Sequence, residues 1–124
     1  MGDYKRTIVL IDDNETSHKF FKRSIENLSI DLKNFASTKK AMKYLKDEKP
    51  SLLFLNIIMP DKNGLTFLEE LRKLPLHKDT PVIMITSKDY AQDRTVAFGL
   101  GAIDFIVKPM SMRAITSIML DHIK

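Results

Sequence analysis

Five short apolar runs, each stopped by turn-forming residues and separated from the next by a stretch of helical periodicity, constrain this chain more than any other feature. They cover residues 7–11, 30–35, 52–55, 82–85 and 104–107. The first, third and fourth are apolar and largely β-branched or bulky almost throughout, as strands buried on both faces must be. The second partly alternates, so it reads as a strand with one open face near a sheet edge. Between the runs lie apolar stripes at helical spacing. The first is Phe20, Phe21, Ile25 and Leu28. The second is Ala41, Met42 and Leu45, capped by Ser37 or Thr38 and stopping before Pro50. The third is Phe67, Leu68, Leu71 and Leu74, ending at Pro75. A weaker helix covers roughly 89–98 and is ended by Gly99 and Gly101. The last places Met112, Ile115, Met119 and His122 or Ile123 on one side. This order predicts an α/β fold of five βα units, a parallel sheet with helices on both faces and right-handed crossovers.

The totals narrow the class. At 124 residues the chain has the size of a single domain, 1–124, and its 44% hydrophobic content lets it bury a core without staples. Cysteine is absent, which excludes disulfides, thiolate zinc sites and thiol nucleophiles. No apolar run approaches the ~18 residues that span a bilayer, and the polar start lacks a signal-peptide core. The expectation is a cytoplasmic domain with no membrane association. The net charge of +4 owes much to Lys39, Lys40, Lys43 and Lys46, read as a solvated helix face. No groove-reading element or interleaved aromatics point to direct nucleic-acid binding. His18, His77 and His122 are scattered and give no metal-ligand spacing.

In a parallel sheet, chemistry gathers at the carboxyl ends of the strands. Those ends carry Asp12-Asp13, Asn56, Thr86-Ser87 and Lys108-Pro109. Each has an ordinary reading as a cap or turn. Together, on one sheet edge, they are specific. Adjacent carboxylates are costly unless a cation or proton separates them, and a hard divalent cation such as Mg²⁺ suits oxygen ligands. A lysine and a hydroxyl opposite would hold the oxygens of a phosphoryl group.

These stretches resemble the response-regulator receiver domain of two-component signalling along nearly the whole chain, about 7–123. The matching segments are 9–14, from Val9 to Asp12-Asp13-Asn14; 53–64, with Asn56, Pro60, Asp61 and Asn63-Gly64; 81–87; and 101–109. The resemblance implies a doubly wound sheet of flavodoxin-like order 2-1-3-4-5. It implies that Asp12 and Asp13 hold Mg²⁺ together with the side chain at 56 and the backbone carbonyl of Ile58. It further implies that Thr86 and Lys108 contact the phosphoryl group, that Thr86 and Phe105 form an inward-swinging switch, and that the bond before Pro109 is cis. The implied partners are a sensor histidine kinase or histidine phosphotransfer protein, and an output domain or target met by the fourth helix, fifth strand and fifth helix.

One departure governs the mechanism. The family accepts phosphate on an aspartate where this chain has Asn56. An amide is a poor nucleophile and forms no acyl phosphate. Losing its charge beside Asp12 and Asp13 weakens Mg²⁺. The chain is therefore expected to take no phosphate and to rest in the inactive state. Asn56 fits either a natural receiver that signals by constitutive binding or a substitution that freezes the unphosphorylated state. Phe105 departs too, lacking the hydroxyl that tyrosine brings to this position. Rival readings are a phosphorylation-independent interaction module and a Mg²⁺-dependent phosphatase. The latter needs Asp-x-Asp after the first strand, where this chain has Asp12-Asp13-Asn14.

Overall fold

The structure, a computed structural model, describes residues 6–122. Ile123, one of the residues expected on the inner side of the last helix, lies outside them. The elements alternate strictly: β1 Arg6–Ile11, α1 Glu15–Ser24, β2 Ile30–Phe35, α2 Thr38–Leu45, β3 Leu52–Asn56, α3 Gly64–Arg72, β4 Val82–Thr86, α4 Ala91–Gly99, β5 Asp104–Val107 and α5 Met112–His122. A short 3-10 turn, Pro75–His77, follows α3. The strands form one sheet in the order β2-β1-β3-β4-β5, every pair parallel. This is the flavodoxin-like doubly wound order that the resemblance implied, with the partly alternating second run at an edge.

Side-chain alternation along the strands divides the core in two. Ile8, Leu10, Phe54, Ile83 and Ile85 face α1 and α5, where Phe21, Ile115 and Met119 complete the layer. Val9, Ile11, Leu53, Leu55, Val82 and Met84 face the other way, against Ala41 and Leu45 of α2, Phe67, Leu68 and Leu71 of α3, and Ala97 of α4. Burying each large side chain contributes about 1.5–3 kcal/mol. The three apolar strands are the central ones because only they have both faces covered.

Helix ends differ from the sequence reading in instructive ways. Asn14 caps α1, accepting from the amides of Thr16 and Ser17 at 2.8 and 3.2 Å. The helix stops at Ser24, so Ile25 and Leu28 pack from the turn beyond it. Ser37, rather than Thr38, caps α2, accepting from the Lys40 amide at 3.1 Å. The fourth helix begins at Ala91 rather than 89, because Asp89 pairs its carboxylate with Arg94 at 2.6 Å instead. Met112, expected inward, is 37% exposed: it is the first residue of α5, and the buried residues of that helix are Ile115 and Met119.

Candidate functional site

The carboxyl edge is built by ladder bonds that run one residue past the strands. Asp12 N donates to Phe35 O at 3.1 Å, Ile57 N to Ile85 O at 2.9 Å and Lys108 N to Thr86 O at 2.7 Å. These bonds fix the backbone on which Asp12, Asn56, Thr86 and Lys108 stand.

Asp12 is fully buried and each of its carboxylate oxygens is engaged. Oδ1 accepts from the Asn14 amide at 2.9 Å, and Oδ2 accepts from Lys108 Nζ at 2.8 Å. The ammonium also reaches Ser17 Oγ at 3.3 Å and keeps a side-chain exposure of 22%. The carbonyl of Asp12 bonds His18 Nε2. Asp13, its sequence neighbour, is exposed. The pair therefore divides its work: one carboxylate is folded into the structure and the other faces solvent. An ion pair with one partner wholly out of water is stable only when further hydrogen bonds satisfy the carboxylate. The Asn14 amide supplies one.

Asn56 ends β3 and is 7% exposed. Its Nδ2 donates to the Ile58 carbonyl at 2.8 Å, with Met59 Sδ at 3.9 Å. A carboxylate has no such donor and would repel that carbonyl. The amide thus closes the loop over the strand end. Gly64 holds the loop's far side: a Cβ there would lie 2.2 Å from the Asn56 carbonyl oxygen. Its amide donates to Ile57 O at 2.7 Å.

The Thr86 hydroxyl accepts from the Lys88 amide at 3.2 Å and is buried. Phe105 is 6% exposed and packs in the core. The Arg94 guanidinium lies 4.6 Å from its ring centroid. A ring without a hydroxyl gains nothing by facing water, and the arginine that covers it, a contact of about 0.5–1 kcal/mol, is itself paired with Asp89. The Lys108–Pro109 peptide bond is cis.

The expected metal ligands are all oxygens: the carboxylates of Asp12 and Asp13, the Asn56 amide oxygen and the Ile58 carbonyl. In kind they fit a hard cation. In charge they are poor, because Lys108 already neutralises Asp12 and Asn56 adds none. Among the described residues no three His, Cys, Asp or Glu side chains cluster to hold a metal.

Sequence reasoning missed Asp61, taken only as a turn former. Its Oδ1 accepts from the Thr38 amide at 3.2 Å, and Oδ2 from the Thr38 hydroxyl at 2.9 Å and the Lys39 amide at 3.1 Å. Desolvation pushes its pKa up, but these hydrogen bonds outweigh it and hold the carboxyl below its ordinary range. Acceptor oxygens at a helix N-terminus were a readable signal; the partner, 23 residues away, was not. His77 is fully buried, with Nδ1 on Thr80 Oγ1 at 2.8 Å and Nε2 on the Leu45 carbonyl at 2.5 Å. That is a satisfied core histidine.

The family model described as the response regulator receiver domain matches residues 8–120. The cyclic di-GMP phosphodiesterase response regulator RpfG of Xanthomonas campestris is 34% identical over 114 residues, 90% of this chain and 30% of that protein. The chain spans less than half the length of this and other curated relatives that it matches. Among solved structures, the phosphorylated cyanobacterial phytochrome response regulator RcpA aligns with a TM-score of 0.89 over 98% of this chain and 96% of that one, at 19% identity. The manganese-bound form of response regulator Rcp1 aligns at 0.81, covering 92% and 91%, at 20% identity. At such identities the likeness is one of fold. No helix among the described residues is long and apolar enough to cross a membrane.

Proposed function

The chain belongs to the response regulator receiver domain family, and from that premise we propose that it is a phosphorelay receiver whose acceptor position Asn56 closes to phosphate. Receiver domains are signalling rather than catalytic modules, and they work with sensor histidine kinases and output domains. In this reading residues 1–124 are one such domain. A histidine kinase or phosphotransfer protein docks at the carboxyl edge, and the α4–β5–α5 face meets the output.

The observation that carries the reading is Asn56 itself, at the end of the central strand, with Asp12 and Thr86 at the ends of the flanking strands and Lys108 after β5, one strand further out. In a phosphorylatable form, a carboxylate oxygen at position 56 attacks the phosphorus of a phosphohistidine. The P–N bond breaks and its electron pair stays on the imidazole. Lys108 leaves Asp12 to meet the new oxygens, and Thr86 turns its hydroxyl from the Lys88 amide toward them. Asp12, Asp13, the side-chain oxygen at position 56 and the Ile58 carbonyl would hold Mg²⁺, which would supply neutralisation of the phosphoryl charge. With Asn56 the nucleophile is missing and the cation is held weakly.

The test is intact mass after incubation with acetyl phosphate and Mg²⁺, on this chain and on Asn56→Asp side by side. Phosphoryl gain by the Asn56→Asp chain alone is the expected result. A second reading, a phosphorylation-independent interaction module, draws on one observation: Phe105 is buried and covered by Arg94, a contact that involves no group at position 56. If neither chain gains mass, the phosphorelay reading fails and the module reading replaces it.

A further inference from the structure

The α2 lysines, read from sequence as a solvated face, border a built cleft. Between α2 and α3 lies a cavity of about 640 Å³, bordered by Lys39, Met42, Lys43, Lys46 and Lys62, with Phe67 on its α3 side. Met42 is half-buried and Phe67 nearly wholly so, which gives the cleft an apolar floor. Its carboxylates are already engaged. Asp61 accepts from the α2 N-terminus, and Glu70 pairs with Lys62 at 2.6 Å. Lys39, Lys43 and Lys46 are exposed, and among the described residues none of the three has a carboxylate within ion-pair distance.

The spacing selects the partner. Positions 39, 43 and 46 stand at i, i+4 and i+7, one line of cations about 10 Å long on one helix face. A single small anion would meet only one of them. The cleft holds no arginine and no exposed aromatic ring, which nucleic-acid surfaces use. We propose that this cleft docks an amphipathic helix of a partner protein that presents acidic residues one turn apart around a single apolar anchor. The anchor enters between Met42 and Phe67, and the acids pair with Lys39, Lys43 and Lys46. Helix-in-groove recognition of this type gains affinity from the anchor and register from the charges. None of the three lysines is among the strand-end residues of the Asn56 site, although the cleft borders the β3–α3 loop that follows Asn56 through Asp61 and Lys62.

The test uses a fluorescent helical peptide of about 16 residues, with glutamates at i, i+4 and i+7 around one leucine, and its glutamine-substituted control. Binding is read by anisotropy, and its place by the Met42 methyl resonance. The expected result is micromolar binding of the acidic peptide, a shifted Met42 methyl, and at least about tenfold weaker binding at about 0.3 M than at about 0.05 M salt. Replacing Lys39, Lys43 and Lys46 together by Gln, and separately by Glu, is expected to lose at least about tenfold, in order of charge removed. These side chains are exposed, and a thermal melt checks that both variants fold. Equal binding of the control peptide, an unmoved Met42 methyl, or displacement of the peptide by a short DNA duplex at similar concentration would each overturn the proposal.

Discussion

The two edges of the sheet handle half-buried cations in opposite ways. At the carboxyl edge Lys108 meets side chains, the Asp12 carboxylate at 2.8 Å and the Ser17 hydroxyl at 3.3 Å. At the amino edge Arg72, the last residue of α3, meets only backbone. Its Nε donates to Leu100 O at 2.9 Å, Nη1 to His77 O at 2.9 Å and Thr80 O at 2.8 Å, and Nη2 to Gly101 O at 3.2 Å. Burial draws its pKa down, with Asp79 opposing, yet a guanidinium stays charged. Gly101, at φ +84°, adopts the left-handed turn that brings its carbonyl under the arginine. A side-chain counter-ion can be exchanged for a ligand; backbone carbonyls cannot. One edge is thus arranged to change partners and the other to stay as it is.

Removing each cation measures the difference. Arg72→Met leaves four carbonyls of the loops before β4 and β5 without a donor. Bonds to a charged group are worth about 1.5–3 kcal/mol each, but half-exposed carbonyls regain water, so the expected net loss is about 3 kcal/mol. Urea denaturation reads it, and a loss below about 1 kcal/mol would mean that the loops hold themselves.

Lys108→Met should cost less, about 2 kcal/mol, because the ammonium keeps some exposure and water can reach Asp12 in its place. The comparison sharpens in the double variant. Asp12→Asn with Lys108→Met removes both charges and is expected to recover most of the loss, since a buried pair replaced as a unit is often neutral. The amino edge has no equivalent rescue. If the double variant is as unstable as Lys108→Met alone, the pair is structural cement like Arg72 and the exchange argument falls.

The same contrast explains what the sequence disclosed. Strand ends announce themselves, since an apolar run that stops at Asp12, Asn56, Thr86 or Lys108 fixes both the strand and the edge it faces. The parallel order followed from alternation. Arg72 carried no such mark: its partners are carbonyls, which every residue has, brought together by loops 5–29 residues away. His77 looked like one of three scattered histidines until folding set Leu45 O, 32 residues off, against its ring. Phe105 was legible as a strand residue near the site, but the Arg94 guanidinium that covers its ring was not, since nothing local pairs the two.

Asp61 tests where the line between the edges falls. By position it belongs to the carboxyl edge, in the loop after Asn56; by chemistry it resembles Arg72, since two of its three bonds go to backbone amides. Asp61→Ala is expected to cost about 1 kcal/mol at neutral pH, as loss of a helix-capping acceptor does. Asp61→Asn, which keeps one acceptor oxygen, should cost less. The folded carboxyl has a lowered pKa, so its stabilisation is complete above the unfolded value, near about 4, and fades as the pH falls through the folded one. The gap in melting temperature between the parent chain and Asp61→Ala should therefore hold from neutral pH down to about 5 and narrow below about 4. A gap that persists unchanged into that acid range would show that the side chain acts through packing or turn geometry rather than charge. In that case the β3–α3 loop would belong with the fixed edge, and the exchangeable region would shrink to Asp12, Asn56, Thr86 and Lys108 alone.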